Sequence, residues 1–483
     1  MNRRFLLLAV LECFTALACA ATTPVLRLKD VLESVERSYP QIKVAQLEIA
    51  KATGGYVRAS GRFDPSLDAN TRSQPLGGYI NNYGDTQLNV PTLYNGVKLF
   101  AGYRNGQGDW PIYYQNYLTN SGGEYRAGLS LPLLRDRRID RERGDLLASS
   151  ESIGMKHFEA DAIKIRIYHE SINAYWRWVE AGLQLRTFKE LLELAKTRQK
   201  AIEKQALQGD LARLAITENL QQIMQREQLL NQGRMMFEQA SVNLSLYYRD
   251  RRGHALIPDE NRLPRDVYPQ TVTLPPVSLR EHPAMKTLQK QAKIVRIRRD
   301  QAHNELLPQL NAEAYAFKQY GSGGYPLLLP QAAMVGFWFK FPLLQREAKG
   351  KLIRAESELQ QVTIENRFLH DRLKNELSNL FIGIHRLRQQ VDLLKREFEY
   401  ALKVQQGESQ KFENGDSTLF LVNQREQLTT QVKLNWINAR VQLEALKDRV
   451  RYFASTVTAD GIKTASRARQ ARKKSSSRVA ASV

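Results

Sequence analysis

Seven histidines, two cysteines and scattered carboxylates are the groups with which this chain could do chemistry, and their spacing points away from catalysis. His157, His169, His254, His282, His303, His370 and His385 form no HExxH motif and no other tight metal-ligand spacing. His282 sits beside a helix-opening Pro283 and His169 lies on a helical seam, both structural positions. Cys13 and Cys19 lie in or beside an apolar N-terminal segment. Removing that segment leaves no thiol, and so no disulfide, thiolate metal site or cysteine nucleophile. Gly321-Ser322-Gly323 lacks the strand–Ser–helix setting of a nucleophile elbow and reads as a turn. There is no phosphate-binding glycine loop, and the adhesion tripeptide Arg143-Gly144-Asp145 falls at a helix start. The cluster Arg135 to Arg143 reads as a solvated junction, with a basic selectivity ring as the alternative. The expectation is a protein that is not an enzyme and carries no cofactor or metal.

Arg3 and Arg4, the apolar run Phe5 to Leu11 and the site Ala18-Cys19-Ala20 have the form of a signal peptide over residues 1–20, with lipidation of Cys19 as the alternative. No later stretch reaches the ~18–20 apolar residues of a membrane-spanning helix. Entry into a membrane would therefore need a closed β-barrel. The net charge of +21 raises nucleic acid as a partner, but export argues against it. Much of that charge sits in residues 458–483, where Lys463, Arg467, Arg469, Arg472, Lys473, Lys474 and Arg478 follow Asp460 without another acid. That tail reads as disordered, or as a contact for an acidic surface or anionic lipid.

A duplicated plan positions what remains. Tyr39-Pro40 and His282-Pro283 open segments that close at Pro65 and Pro308, both at one offset (283 − 40 = 308 − 65 = 243). Leu131-Pro132-Leu133-Leu134 matches Phe341-Pro342-Leu343-Leu344. Gly144 to Gly350 keeps the offset of Gly209 to Gly415 (350 − 144 = 415 − 209 = 206). A first repeat over 26–248, a linker over 249–277 and a second repeat over 278–457 follow.

Each repeat holds a long helical run, Gly144 to Gly209 and Gly350 to Gly415, of roughly 100 Å at 1.5 Å per residue. The second run carries Leu373, Leu377, Leu380, Ile384, Leu387, Val391, Leu394, Phe398 and Ala401 at alternating steps of four and three, a coiled-coil seam. The first carries Phe158, Ala162, Ile165, Ile172, Trp176, Val179 and Leu183. The helix after Gly209 repeats in sevens through Ile216, Ile223, Leu230, Phe237 and Leu244. Gly209-Asp210 and Gly415-Asp416 are the reversals, glycine ending one helix and Asp capping the next. The returning helices, Leu211 to Tyr248 and Thr418 to Ala454, cover only part of the long runs. Front helices over Leu28 to Ser60 and Ser278 to Glu305 supply the remainder.

Between Pro65 and Pro132, and between Pro308 and Pro342, the period changes to two. Tyr125, Ala127, Leu129 and Leu131 form one such face, and Val335, Phe337, Phe339 and Phe341 another. Ala312, Ala314 and Ala316 give a small one. Residues 74–123 are an insertion in the first repeat, rich in Tyr, Asn and Gly, that reads as strand extensions, large loops or a disordered loop. Two strand pairs cannot close a membrane barrel, so a barrel needs several copies.

In this order, these landmarks resemble the TolC-like outer-membrane efflux and secretion channels, over about Leu26 to Ser455. The resemblance implies a mostly α, α+β fold. Long coiled-coil hairpins would form a periplasmic α-barrel, and four strands per protomer a transmembrane β-barrel of twelve in a homotrimer. It implies a passive export duct in the outer membrane that docks a periplasmic adaptor and an inner-membrane pump. Carried over for docking are Gly209, Asp210, Leu211, Gly415, Asp416 and Leu419, and for the helix–strand junctions Pro65, Pro132, Pro308 and Pro342. The carboxylates that narrow the entrance in some members fall here at Leu421 and Gln424, so no carboxylate ring is expected there. The paired helices also allow a non-channel coiled-coil surface structural or adhesive protein; the alternating strands favour the channel.

Overall fold

The computed structural model describes residues 24–209, 212–267, 278–323 and 331–453. The expected signal peptide, Cys19, Asp210, Leu211 and the basic tail lie outside them. The chain divides into two compact units. Each draws on both halves of the sequence.

The first unit comprises residues up to Lys43, Ile163–Val277 and the chain from Asn375 on. It holds α1 (Leu28–Ser38), most of α3 (Arg141–Gln208), α4 (Leu214–Ser245), the later part of α6 (Arg346–Glu413) and α7 (Leu419–Arg451). Both α3 and α6 are unbroken for 68 residues. The front helix expected from Leu28 to Ser60 is two helices. Tyr39 is extended (φ −73°, ψ 127°), because a residue before proline is pushed out of the α region. Helix α2 (Pro40–Ser60) then starts afresh.

In α3 the expected seam is accompanied by a second one. Tyr168, Ser171, Tyr175, Trp178, Gly182 and Leu185 also step by three and four, and all are buried. The helix is thus covered on two sides. Gly182 is needed for this: a Cβ there would come within 2.4 Å of Leu263 in the segment that follows α4. The Tyr175 hydroxyl donates to the Leu26 carbonyl at 3.1 Å, tying the segment before α1 to α3. Burial pushes the Tyr175 hydroxyl pKa up, which keeps that donor protonated. In α6 every seam residue from Leu373 to Ala401 is buried or half-buried. Phe398 stacks on Trp436 of α7 with ring centroids 5.5 Å apart.

The second unit comprises Val44–Ala162 and Ser278–Lys374. It carries most of α2, the start of α3, α5 (Pro283–Asn304) and the start of α6. His282 caps α5, its Nδ1 accepting from the Ala284 amide at 3.2 Å, with Pro283 at the first helical position. The sheet of this unit corrects the expected strand count. Six antiparallel strands occur in chain order: β1 (Ser66–Gln74), β2 (Asn81–Pro91), β3 (Lys98–Gly108), β4 (Glu124–Pro132), β5 (Gln309–Gln319) and β6 (Gln331–Lys340). Four strands per chain, and twelve in three copies, were expected. The two extra strands come from the 74–123 insertion. Their alternation is masked by polar and glycine residues such as Gly84, Gly102, Asn105 and Gly106, which dilute the apolar half of the pattern. No described helix is long and apolar enough to cross a membrane.

Candidate functional site

Three features are built to act: the two glycine bends, the sheet with its junctions, and a charge network inside the helical unit.

At the second bend Gly415 has φ +85°, its N–H donates to Phe412 O at 3.1 Å, and the Asp416 N–H donates to Lys411 O at 2.8 Å. This is a left-handed helix stop. Asp416 therefore closes the preceding helix through its backbone. The cap of α7 is instead Thr418, whose Oγ1 accepts from the Leu421 amide at 3.4 Å, which corrects the expected Asp cap. Gly209 has φ +86° in the matching place. Leu419 is 5% exposed and packs with Ile202 and Ala215, against which Ile216 and Phe412 also rest. One apolar cluster thus joins both bends. Among the described residues, Leu207, Leu214 and Phe420 are exposed large apolar side chains at the bends, the last 71% exposed, and Arg213, Glu413, Asn414 and Asp416 are exposed with them. Phe420 carries a readable signal in the sequence, an aromatic two residues past the cap residue Thr418. Leu421 is half-buried and Gln424 exposed.

The bends give a clean mutational test. A Cβ at Gly415 meets nothing within 4 Å, so Gly415→Ala should cost about 1–2 kcal/mol from backbone strain alone. Gly415→Asn should cost less, since Asn tolerates this region. Gly350→Ala, inside α6 with equally open space, should instead stabilise by up to ~1 kcal/mol. Denaturant unfolding of the three variants checks the order.

The sheet has two distinct faces. In register across β3, β4, β5 and β6, Leu99, Leu129, Ala314 and Val335 share one side, and Leu131, Ala312 and Phe337 continue it. On β1 and β2 the same side holds Leu67, Leu88 and Val90. This apolar face is bare: Leu67, Val335, Phe337 and Phe339 are all more than half exposed. The opposite side carries Asp68, Asp85, Arg104, Glu124, Arg126 and Glu313, several of them paired. Arg104 meets Glu124 at 2.7 Å, and Arg126 meets Asp85 at 2.7 Å.

Pro65 immediately precedes β1, Pro132 ends β4, Pro308 precedes β5, and Pro342 follows β6 by one residue. After Pro132 the chain turns into α3 through Asp136 (φ +67°). Asn304 holds Asp136 from two sides, accepting from its backbone amide at 3.1 Å and donating to its carboxylate at 2.9 Å. The arginine cluster is not uniformly solvated. Arg143 is buried and donates to Asp140 at 2.8 Å and to the carbonyls of Arg137 and Asp136, so it shapes the junction. Arg137, Arg138 and Arg141 are exposed. Gly144 lies against Gln301 of α5, 1.9 Å from where a Cβ would stand. The tripeptide 143–145 is therefore part of a helix contact.

Within α3, α4 and α7 a charge network crosses the seam. Arg226 donates to Leu191 O at 2.9 Å, Asn423 Oδ1 at 3.0 Å and Glu426 Oε2 at 2.7 Å. Arg198 reaches the same Asn423 at 2.9 Å and also pairs with Glu426. Arg226 is 1% exposed and Glu426 2%. Burial lowers the Arg226 pKa, and Glu426 opposes that shift by favouring the charged form.

No protein-family model and no curated relative matches the sequence. Solved structures do match the fold. VceC, an outer membrane protein of Vibrio cholerae, is 15% identical, with 88% of this chain and 95% of that one covered and a TM-score of 0.63. The MtrE outer membrane channel of Neisseria gonorrhoeae is 12% identical, with 89% of each chain covered and a TM-score of 0.63. The CmeC outer membrane channel of Campylobacter jejuni is 12% identical, over 90% and 88%, again at 0.63. At such identities the likeness speaks for architecture. This chain has the fold of the outer-membrane channels, as its landmarks implied.

Proposed function

We propose that this protein is the outer-membrane subunit of an efflux or type I secretion assembly, a passive duct leading from the periplasm to the exterior. The observation that carries the reading is the sheet with one bare apolar face and one charged face, which Pro132 and Pro342 join to the 68-residue helices α3 and α6, and Pro65 and Pro308 to α2 and α5. An exposed apolar face of this kind marks a surface covered by membrane or by another protein. Its strands of nine to eleven residues match the ~9–11 that a tilted strand uses to cross a bilayer. Six strands do not close on themselves, since membrane barrels start at about eight. Other copies of the chain must therefore complete the wall, and a homotrimer is the assembly the resemblance implies.

The bends at Gly209 and Gly415 are the docking surface for a periplasmic adaptor, which in turn couples to an inner-membrane pump. Leu419 organises that surface from inside, while Leu207, Leu214 and Phe420 present it.

A heat-modifiable trimer extracted from outer membranes that conducts ions in a planar bilayer is the expected result. A soluble, monomeric mature protein would refute the reading. The double replacement Leu214→Ser and Phe420→Ser should abolish export in cells yet leave bilayer conductance intact. Loss of both together would mean that these residues support the fold rather than docking.

A further inference from the structure

The β2–β3 hairpin is set into the middle of the sheet rather than laid over it. Strand β1 pairs with β2 through nine residues, β2 with β3 through eleven, and β3 with β4 through seven, so β1 and β4 never meet. Both faces enter the insertion at its turn end, and farther out the apolar side gives way to Thr86, Asn82, Asn105 and Gln107. Leu88, Val90, Leu99 and Ala101 extend the apolar side, and Asp85, Gln87 and Arg104 the charged one. Side chains of β4 are fitted to this arrangement. Arg126 reaches across β3 to Asp85 and Gln87 of β2, at 2.7 and 2.8 Å. It passes over Gly102, where a Cβ would come within 3.4 Å of its Nε and 2.8 Å of Thr86 O. The hairpin turn, Thr92 to Val97, ends at the helical side of the sheet. There a Cβ on Gly96 would lie 2.8 Å from Pro132 and 2.7 Å from the Asp136 carbonyl. The hairpin thus reaches the helical end of the sheet and runs beside β4 over seven of the eleven residues of β3.

We propose that β2 and β3 are wall strands of the membrane barrel, with Leu88 and Ala101 against lipid and Asp85 and Arg104 toward the lumen. Every closed barrel of this chain then has strands in multiples of six. On the three-copy channel reading above, on which the proposal rests, it has eighteen. Barrel diameter grows roughly linearly with strand number, so the duct is about 1.5 times as wide as a twelve-stranded one. A lumen of that width, lined by charges of both signs, fits bulky water-soluble cargo rather than a small lipophilic ligand.

The test uses the full chain in planar bilayers under a salt gradient, with Asp85→Asn and Glu313→Gln compared. Glu313 lies on the charged face of β5, outside the insertion. Both variants should shift the reversal potential toward anions, Asp85→Asn because it leaves Arg126 uncompensated. A shift with Glu313→Gln alone overturns the wall assignment of the hairpin while the channel stands. No shift with either overturns the assignment of the charged face to the lumen, and absence of any conductance removes the channel reading itself. Thiol labelling gives the same answer should Asp85→Asn fail to assemble. Asn89→Cys should react with a charged aqueous reagent above the unsubstituted background, and Leu88→Cys should not, in parallel with Ser130→Cys and Leu129→Cys in β4. Alternation in β4 without alternation in β2 overturns the proposal.

Discussion

Glu426→Ala is expected to lower the unfolding free energy by about 3–5 kcal/mol, the cost of stranding one member of a buried ion pair. Arg226 cannot escape to water. It is 1% exposed, and its remaining partners, the Leu191 carbonyl and Asn423, are neutral. Arg198 would lose the same carboxylate and add like-charge repulsion. Removing both ends should be far milder, because an apolar pair of similar volume avoids the desolvation penalty. Glu426→Leu combined with Arg226→Met is therefore expected to recover most of the loss. Chemical unfolding of the parent, Glu426→Leu, Arg226→Met and their combination, followed by the helical signal in detergent, measures the coupling. If the single and double variants are equally destabilised, the network is not what holds these helices in register. The stake is more than stability, since Arg226 and Glu426 lie within about five helical turns of the Gly209 and Gly415 bends. A polar residue at a seam position fixes which turns face each other.

This network also marks where the sequence ceases to be legible. The sevens from Ile216 to Leu244 gave the correct buried face of α4. The positions between them, Asn219, Arg226, Gly233 and Ser241, are equally buried but polar or small, so a search for apolar residues passes over them. Their burial depends on partners supplied by α3 and α7, which no local window contains. In α3 the opposite holds: one apolar seam is legible from its period, and the second, through Tyr168, Tyr175 and Trp178, is not. Its cover comes from residues near Leu26 and Leu263, distant in sequence.

The strands divide in the same way. Strands β4, β5 and β6 declared themselves through Leu, Ala and Phe alternation between prolines. Strands β2 and β3 did not, since Gly102 and Gly106 stand where backbone or neighbouring side chains leave no room for a Cβ. Gly106 would meet the Tyr117 carbonyl at 1.9 Å. Glycine required by tertiary contact looks, in sequence, like loop composition. The bends were the reverse case. Positive φ at Gly209 and Gly415 is a local demand, and glycine followed by a polar residue showed it directly. Which side chains face outward there is a tertiary matter, so Leu419 was named and Phe420 was not.

The second large effect expected is a dependence on pH, and it comes from Asp448. This carboxylate is buried near the end of α7, accepting from Trp176 Nε1 at 3.0 Å and from Arg451 at 3.0 Å. Glu444, Lys447 and Tyr175 also act on it or are acted on by it. Burial dominates and raises its pKa from 3.8 to about 6, against the pull of Arg451. A raised carboxylate pKa means that the folded chain keeps a proton the unfolded chain has released. The stability from this group is therefore complete below the unfolded value and is lost as pH rises through the folded one. A shift of about two units corresponds to on the order of 3 kcal/mol. Asp448→Asn keeps an acceptor for Trp176 and has no charge to desolvate. The stability of this variant relative to the parent should thus climb by that amount between about pH 4 and pH 7, with most of the change complete near pH 6. Unfolding curves of the two proteins across that range decide it. Parallel curves would mean that Asp448 titrates as an ordinary carboxylate, and that Arg451 fully offsets the cost of burying it.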